Sequence, residues 1–247
     1  MENISAIASG KGGVGKSTLT AGIGAALAAR GERVLLIDGD AGLQSLDHLL
    51  GLSEQLVYNA CDIADGRIDP LKAVYSVPKY DGLFLLSAPL GKPLHPKMMS
   101  AITTVLARHF DRVLIDCPAG VGSNLISSVA PAREIFLVAT SDPISVRSAA
   151  IVKNQLEQMD APISKFILNR FSAPMFRKAA YFKDLDAIVD SVGLPLLGIV
   201  PEDKKCSLQY IKGDMPAKIG GKKTASLAFS RIAARICGES VPLPKGF

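Results

Sequence analysis

The sequence predicts an α/β protein built on a doubly wound, mostly parallel sheet with helices on both faces. Three observations carry that expectation. Short runs rich in Val, Ile and Leu alternate with longer stretches of helical periodicity. The runs are nearly all apolar rather than alternating, as strands buried on both faces require. The first of them passes straight into a glycine-rich turn and then a helix.

Taken in order, residues 4–9 form the first strand. Residues 17–30 form a helix with Leu19, Ile23, Ala26 and Leu27 on one stripe and Gly31 as its stop. Further strands are expected at 33–38, 83–87, 113–116, 135–139, 165–169 and 197–200. A helix runs from Ser145 to about Met159. Another spans 225–237, with Phe229, Ile232 and Ile236 on one stripe, expected to face the core. The stretch from Pro89 to Pro96 holds three prolines and a glycine and reads as a surface loop. Residues 171–177 read as a second loop after a strand. With no linker, repeat or low-complexity segment, residues 1–247 are expected to form a single domain.

Composition narrows the class. Hydrophobic content is 48% and charged content 21%, ordinary for a globular protein with a large core. The net charge of +5 permits weak attraction to nucleic acid or an anionic membrane without establishing either. The densest basic cluster, Lys218 to Lys223, is thin for a DNA-binding surface. Cys61, Cys117, Cys206 and Cys237 are scattered with no C-x-x-C pair, so neither a zinc site nor a redox dithiol is suggested, and free thiols in a reducing compartment are expected. No signal peptide and no membrane-length apolar run are seen, so a cytoplasmic protein is expected.

The chemistry begins at the first turn. Gly10 and Gly15 with Lys16 and Ser17 satisfy the spacing G-x-x-x-x-G-K-[ST]. Glycines let successive N–H groups turn inward on a phosphate. Lys16 reaches the outer phosphates in such a loop, and Ser17 takes a magnesium position. Lys11 is left over at the loop's entrance. The second strand ends in Asp38-Gly39-Asp40, which places two carboxylates at the edge where ligands bind in such sheets. An apolar strand ending at Asp116, followed by Cys117-Pro118-Ala119-Gly120, is a Walker B arrangement whose carboxylate orients magnesium. Gly120 is expected to bring an N–H toward the outermost phosphate. Asp47 lies beyond the loop on an expected helix, where it takes a solvated or capping role. Asp142 and Ser145 read as caps of the following helix, and Arg147 as a surface charge on it.

Lys11-Gly12-Gly13-Val14-Gly15-Lys16-Ser17-Thr18, the Asp38–Asp47 stretch and Asp116-Cys117-Pro118-Ala119-Gly120 together resemble the MinD/ParA family of deviant Walker A ATPases, and within it the MinD branch. The likeness continues through 140–147, 167–170 and 198–203, nearly the whole chain. It implies a P-loop NTPase of the SIMIBI type that binds ATP or ADP with Mg²⁺ through residues 10–18, forms a homodimer when ATP-bound, and hydrolyses ATP slowly without an activating partner. It implies that Lys11 acts across the dimer on the partner's nucleotide, that Asp40 positions the attacking water, and that Ser17, Asp38 and Asp116 organise the metal. It further implies that Asn169 and the Pro201-Glu202-Asp203 segment hold the adenine, with Arg170 also at the nucleotide; Asn offers a base edge both a donor and an acceptor.

The branch implies a spatial switch in cell-division site placement, with MinC- or MinE-like regulators, peripheral to the inner face of the cell membrane. Two departures stand out. The family commonly carries Arg-Asn, near partner-binding surface, where this chain has Gln44-Ser45. The branch also ends in an amphipathic membrane-targeting helix. Here Pro242, Pro244 and Gly246 interrupt the last residues, and Leu243 and Phe247 are few anchors, so only weak membrane contact is expected. Alternatives within the family are a ParA-type DNA-segregation ATPase and a flagellar-number regulator. An iron–sulfur scaffold has only Cys117 to support it.

Overall fold

The computed structural model describes residues 3–42, 45–89, 91, 93–213 and 224–243. The basic cluster 218–223, Gln44 and residues 244–247 lie outside these. Strand β1 (Ile4–Ser9) is buried at all six positions and leads through the glycine loop into α1 (Lys16–Ala28). The remaining strands are β2 (Val34–Asp38), β3 (Val74–Ser76), β4 (Leu83–Leu86), β5 (Arg112–Ala119), β6 (Glu134–Ala139), β7 (Ile163–Phe171) and β8 (Leu196–Pro201). Short helices α2 (Ser45–Leu50) and α3 (Ala60–Ala64) follow β2, and α4 (Pro96–Leu106) precedes β5. Then come α5 (Ser123–Val129), α6 (Pro143–Glu157), α7 (Ala173–Ala179), α8 (Leu185–Val192), α9 (Lys204–Ile211) and α10 (Ala225–Ile236).

The strands form one sheet in the order β3-β4-β2-β5-β1-β6-β7-β8, parallel throughout except for the antiparallel pair β3/β4. Alternate residues of each strand feed two separate cores. Ala6, Ala8, Leu35, Ile37, Val113 and Ile115 pack with Met99, Leu125, Val146 and Ile188 of α4, α5, α6 and α8. Ile7, Leu36, Leu114, Phe136 and Val138 pack on the other face with Leu19, Ile23, Leu46, Phe229 and Ile232 of α1, α2 and α10. The double burial explains the continuous apolar runs. It also explains α1, buried nearly all round because α10 covers it: the Phe229 ring fills the space a side chain on Gly22 would need. The stripe of α10 is spent on this core, as its periodicity predicts.

Three sequence expectations change. The edge strand β3 is absent from the sequence expectation, because three half-exposed residues carry no periodicity. Residues 171–177 are not a loop: Ala173–Ala179 is helical, with Pro174 in the first turn, where its missing N–H costs no bond, and Ala180 in a left-handed stop. Phe176 and Ala173 lean on the core and hold it. Finally, β5 does not end at Asp116 but continues to Ala119. Pro118 is tolerated there because β2 has already ended opposite Asp116 and β1 shifts register between Ile7 and Ser9.

β1 lies between β5 and β6, with β2 to β5 on one side of it and β6 to β8 on the other. The carboxyl ends of β1, β2, β5, β7 and β8 therefore converge on the crevice where open α/β sheets bind ligands.

Candidate functional site

The loop after β1 is shaped for an anion by its backbone. Gly15 is the N-cap of α1 with φ +90° and no side-chain cap, and Gly13 has φ +75°. The first-turn N–H groups of α1 thus lack a protein cap, and no acidic residue sits in that turn to answer the helix dipole. A negative ligand at this end satisfies both. Lys16 opens the helix and is only 9% exposed. Gly10 serves a different purpose from the cradle: a Cβ there would collide with the Ser148 carbonyl of α6. Gly10→Ala is accordingly expected to destabilise the protein by roughly 1–3 kcal/mol through overpacking against backbone, read as a lowered urea midpoint with an unchanged slope.

The two carboxylates at the bottom of the crevice are neighbours. Asp38 and Asp116 are register partners on β2 and β5, 2% and 1% exposed. Burial, and then the charge of Asp116, pushes the Asp38 carboxyl up to about 7, against hydrogen bonds donated by the N–H groups of Asp40 (2.9 Å) and Leu46 (3.2 Å). Burial likewise raises Asp116 to about 6, although Ser17, Lys16 and Thr20 pull it back; Thr20 Oγ1 donates to Asp116 Oδ1 at 3.3 Å. Two hard oxygen donors with raised proton affinity beside a serine hydroxyl suit a small divalent cation. Among the described residues no cluster of three His, Cys, Asp or Glu side chains forms, so a softer all-protein metal cage has no donors.

A pH prediction follows from this pair. Both groups take up protons in the fold at pH values where the unfolded chain has released them. Stability without magnesium is therefore highest below about pH 4 from this pair and falls as pH rises to about 7. Thermal melts in chelator across that range should show the decline. Mg-ADP should raise the melting temperature more at the alkaline end, and Asp116→Asn should flatten the slope.

A cavity of about 740 Å³ lies over the loop, large enough for a nucleoside triphosphate. Gly12, Gly13, Gly15, Lys16, Ser17 and Thr18 form one wall, Asp40 with Ser45, His48 and Leu49 of α2 another, and Arg170, Ser207 and Tyr210 a third. Asp40 Oδ1 accepts from Gly42 N–H at 3.0 Å, which orders the turn that presents it. The α2 and α9 wall was not found from the sequence; only the Asp203 cap, which accepts from Lys205 and Cys206 N–H, signals a helix there.

Several expected site residues also have partners within the protein. Gly120 has φ +95°, but its N–H donates to Ser9 O at 2.9 Å and does not face the loop's concavity. Asn169 is buried, and its Nδ2 donates to Val14 O at 2.7 Å. Arg170, at φ +53° in the β7 bulge, donates to Gly13 O at 3.4 Å and pairs with Glu202 at 3.0 Å. Both residues thus brace the loop itself. Val14 is buried as the loop's anchor, and a Cβ on Gly15 would sit 2.5 Å from Asn169 Nδ2. Pro201 and Glu202 do gather with Asn169 and Thr18, around a cleft of only about 70 Å³.

Lys11 lies off the main cavity. It lines a separate hollow of about 280 Å³ with Asp142, Arg170 and Glu202. Asp142 caps α6 by accepting from Ser145 N–H, as expected, whereas Ser145 Oγ accepts from Thr140 N–H and does not cap. Arg147 is exposed, and Asp47 is half-buried in the first turn of α2. No disulfide links the four cysteines. Cys117 is buried, and burial pushes its thiol well up. No helix among the described residues is long and apolar enough to cross a membrane.

Comparisons with known proteins agree with this geometry. The chain is 35% identical over 252 residues to the septum site-determining protein MinD of Thermotoga maritima, covering 100% of this chain and 92% of that one. The MinD of the MinC:MinD cell division protein complex from Aquifex aeolicus superimposes with a TM-score of 0.88 at 34% identity, covering 98% of each chain. The septum site-determining protein MinD of Pyrococcus horikoshii, complexed with Mg-ADP, does so at 0.81 and 28% identity over 96% of each. Residues 5–217 match the model of the CobQ/CobB/MinD/ParA nucleotide binding domain, and with the open-ended helix, the glycine loop and the carboxylate pair in place, the chain belongs to that family.

Proposed function

We propose that this chain is a MinD-like ATPase that binds ATP with Mg²⁺, dimerises, and acts as a spatial switch in cell-division site placement. The observation that carries the reading is the uncapped start of α1, with Lys16 beside the buried Asp38–Asp116 pair. The loop N–H groups and Lys16 hold the phosphates. Ser17, Asp38 and Asp116 would hold the magnesium, which would neutralise charge on the phosphate oxygens. Asp40, presented to the cavity by its turn, orients the attacking water. Lys11, pointing away from its own cavity, serves the second subunit of a homodimer, where it stabilises developing charge as an arginine finger does. Hydrolysis is slow without an activator because each site is completed only across the dimer.

For adenine we propose the cleft of Asn169, Pro201 and Glu202, with Asn169 reading the base through the amide groups not spent on Val14. A MinC-like partner is favoured by the MinC:MinD complex among the neighbours. A MinE-like activator, a cytoplasmic location and weak membrane contact follow from the family reading; nucleic acid is the lesser partner. The reading has a direct test in Asp40→Ala. Binding rests on the loop and the metal, so ATP affinity and dimerisation should persist while phosphate release falls by roughly 100-fold or more. Calorimetry and a phosphate-release assay separate the two. Turnover unchanged in the variant would remove Asp40 from the mechanism.

A further inference from the structure

Lys11 is held in place by its own subunit. Its Nζ lies 3.2 Å from Asp142 Oδ1, which also accepts from Ser145 N–H at 3.0 Å. The other oxygen accepts from Thr140 Oγ1 at 2.6 Å. These donors fix the carboxylate and keep it ionised. Partial burial pushes the Asp142 carboxyl up, and the hydrogen bonds from Thr140, Ser145 and Lys11 outweigh it, leaving it below its usual range. Asp142 is also the N-cap of the fifteen-residue helix α6. The positive end of a helix repels an ammonium, so the carboxylate is what retains Lys11 there.

The geometry points to Asp142 as a positioning residue that stores Lys11 in the monomer and so sets the threshold for ATP-dependent dimerisation. The inference rests on the proposed action of Lys11 in trans. To reach a partner's phosphates, Lys11 has to leave Asp142, because a carboxylate that followed it would face oxygens of its own sign. The ion pair therefore stabilises the monomer and opposes the dimer. Both side chains are about two-fifths exposed, at 42% and 41%, so the opposition is modest. Released, it should tighten the dimer about two- to five-fold.

Asp142→Asn in the full chain tests this. Asn caps a helix as well as Asp does, so α6 is retained while the charge is lost. Asp142→Ser, which also caps without charge, replaces it if the Asn variant misfolds. Two quantities are read. One is the rate at which a small amine-acylating ester modifies Lys11 in nucleotide-free monomer, followed by peptide mass spectrometry. The other is the protein concentration of half-dimerisation by light scattering, with a non-hydrolysable ATP analogue. Faster acylation of Lys11, with the half-dimerisation point about three-fold lower, is the expected result. Unchanged acylation would mean that the pair does not restrain Lys11. Faster acylation with an unchanged or weaker dimer would mean that Asp142 does not oppose dimerisation; either result overturns the proposal. If Lys11→Ala dimerises like the parent chain, the action in trans fails and the threshold with it, while the acylation rate still reports the ion pair.

Discussion

Replacing Lys16 with alanine is expected to lower ATP affinity about 100-fold and to abolish ATP-dependent dimerisation. Two effects add. The variant loses a charge-assisted contact to the phosphates from a side chain only 9% exposed, where water screens little. It also strips the Asp38–Asp116 pair of the nearest positive charge, since Lys16 is among the groups that pull Asp116 back from its burial-raised value. The remaining carboxylates then bind protons in competition with magnesium. Titration calorimetry with Mg-ATP measures the affinity and light scattering the dimer. An affinity within a few-fold of the parent chain would contradict the phosphate-loop assignment itself.

Lys11→Ala should behave differently from Lys16→Ala. Because Lys11 lines the hollow beyond its own loop, the variant should keep monomeric nucleotide binding and lose both dimerisation and hydrolysis. Mixing it with Asp40→Ala then gives a decisive reading. In the mixed dimer, the Lys11→Ala subunit keeps its own Asp40 and borrows Lys11 from its partner, so one site of the two is complete. Turnover per heterodimer should then reach about half that of a parent dimer, although each variant alone is inactive. No recovery, with heterodimers present by crosslinking, would place Lys11 in its own subunit's chemistry.

Much of this site was legible because its chemistry depends on backbone and on burial. The strand–glycine–helix order fixed the place of residues 10–18, since few other functions demand Gly13 and Gly15 at positive φ before an uncapped helix. Asp38 and Asp116 were legible because an ionisable residue at the end of a wholly apolar strand is expensive unless it has a purpose. What sequence did not disclose was which groups each side chain actually meets. Asn169 and Arg170 were expected at the nucleotide; both line the cleft proposed for adenine, but they also hold Val14 and Gly13, and spacing along a chain says nothing of a contact between β7 and a loop far away in sequence. Gly120 was assigned by its N–H, and the register shift that ties that N–H to Ser9 has no sequence signature. Asp142 looked complete as a cap, which concealed its second bond. The helix α7 was hidden because Ser172 and Pro174 signal a helix start and a loop equally well.

The position of β1 has a consequence for how the molecule is made. Among the strands of the sheet it is synthesised first, but both of its neighbours, β5 and β6, follow only after three more strands. Until they emerge, a strand that is wholly buried in the fold and the loop attached to it have nothing to pair with. Non-local pairing of this kind folds slowly and leaves sticky edges uncovered in the interval. A nascent chain that stops short of β6 therefore has the whole glycine loop in its sequence and no platform on which to shape it. Nucleotide capture arrives late in synthesis, and chaperones that shield apolar strands have their longest task at the amino-terminal end.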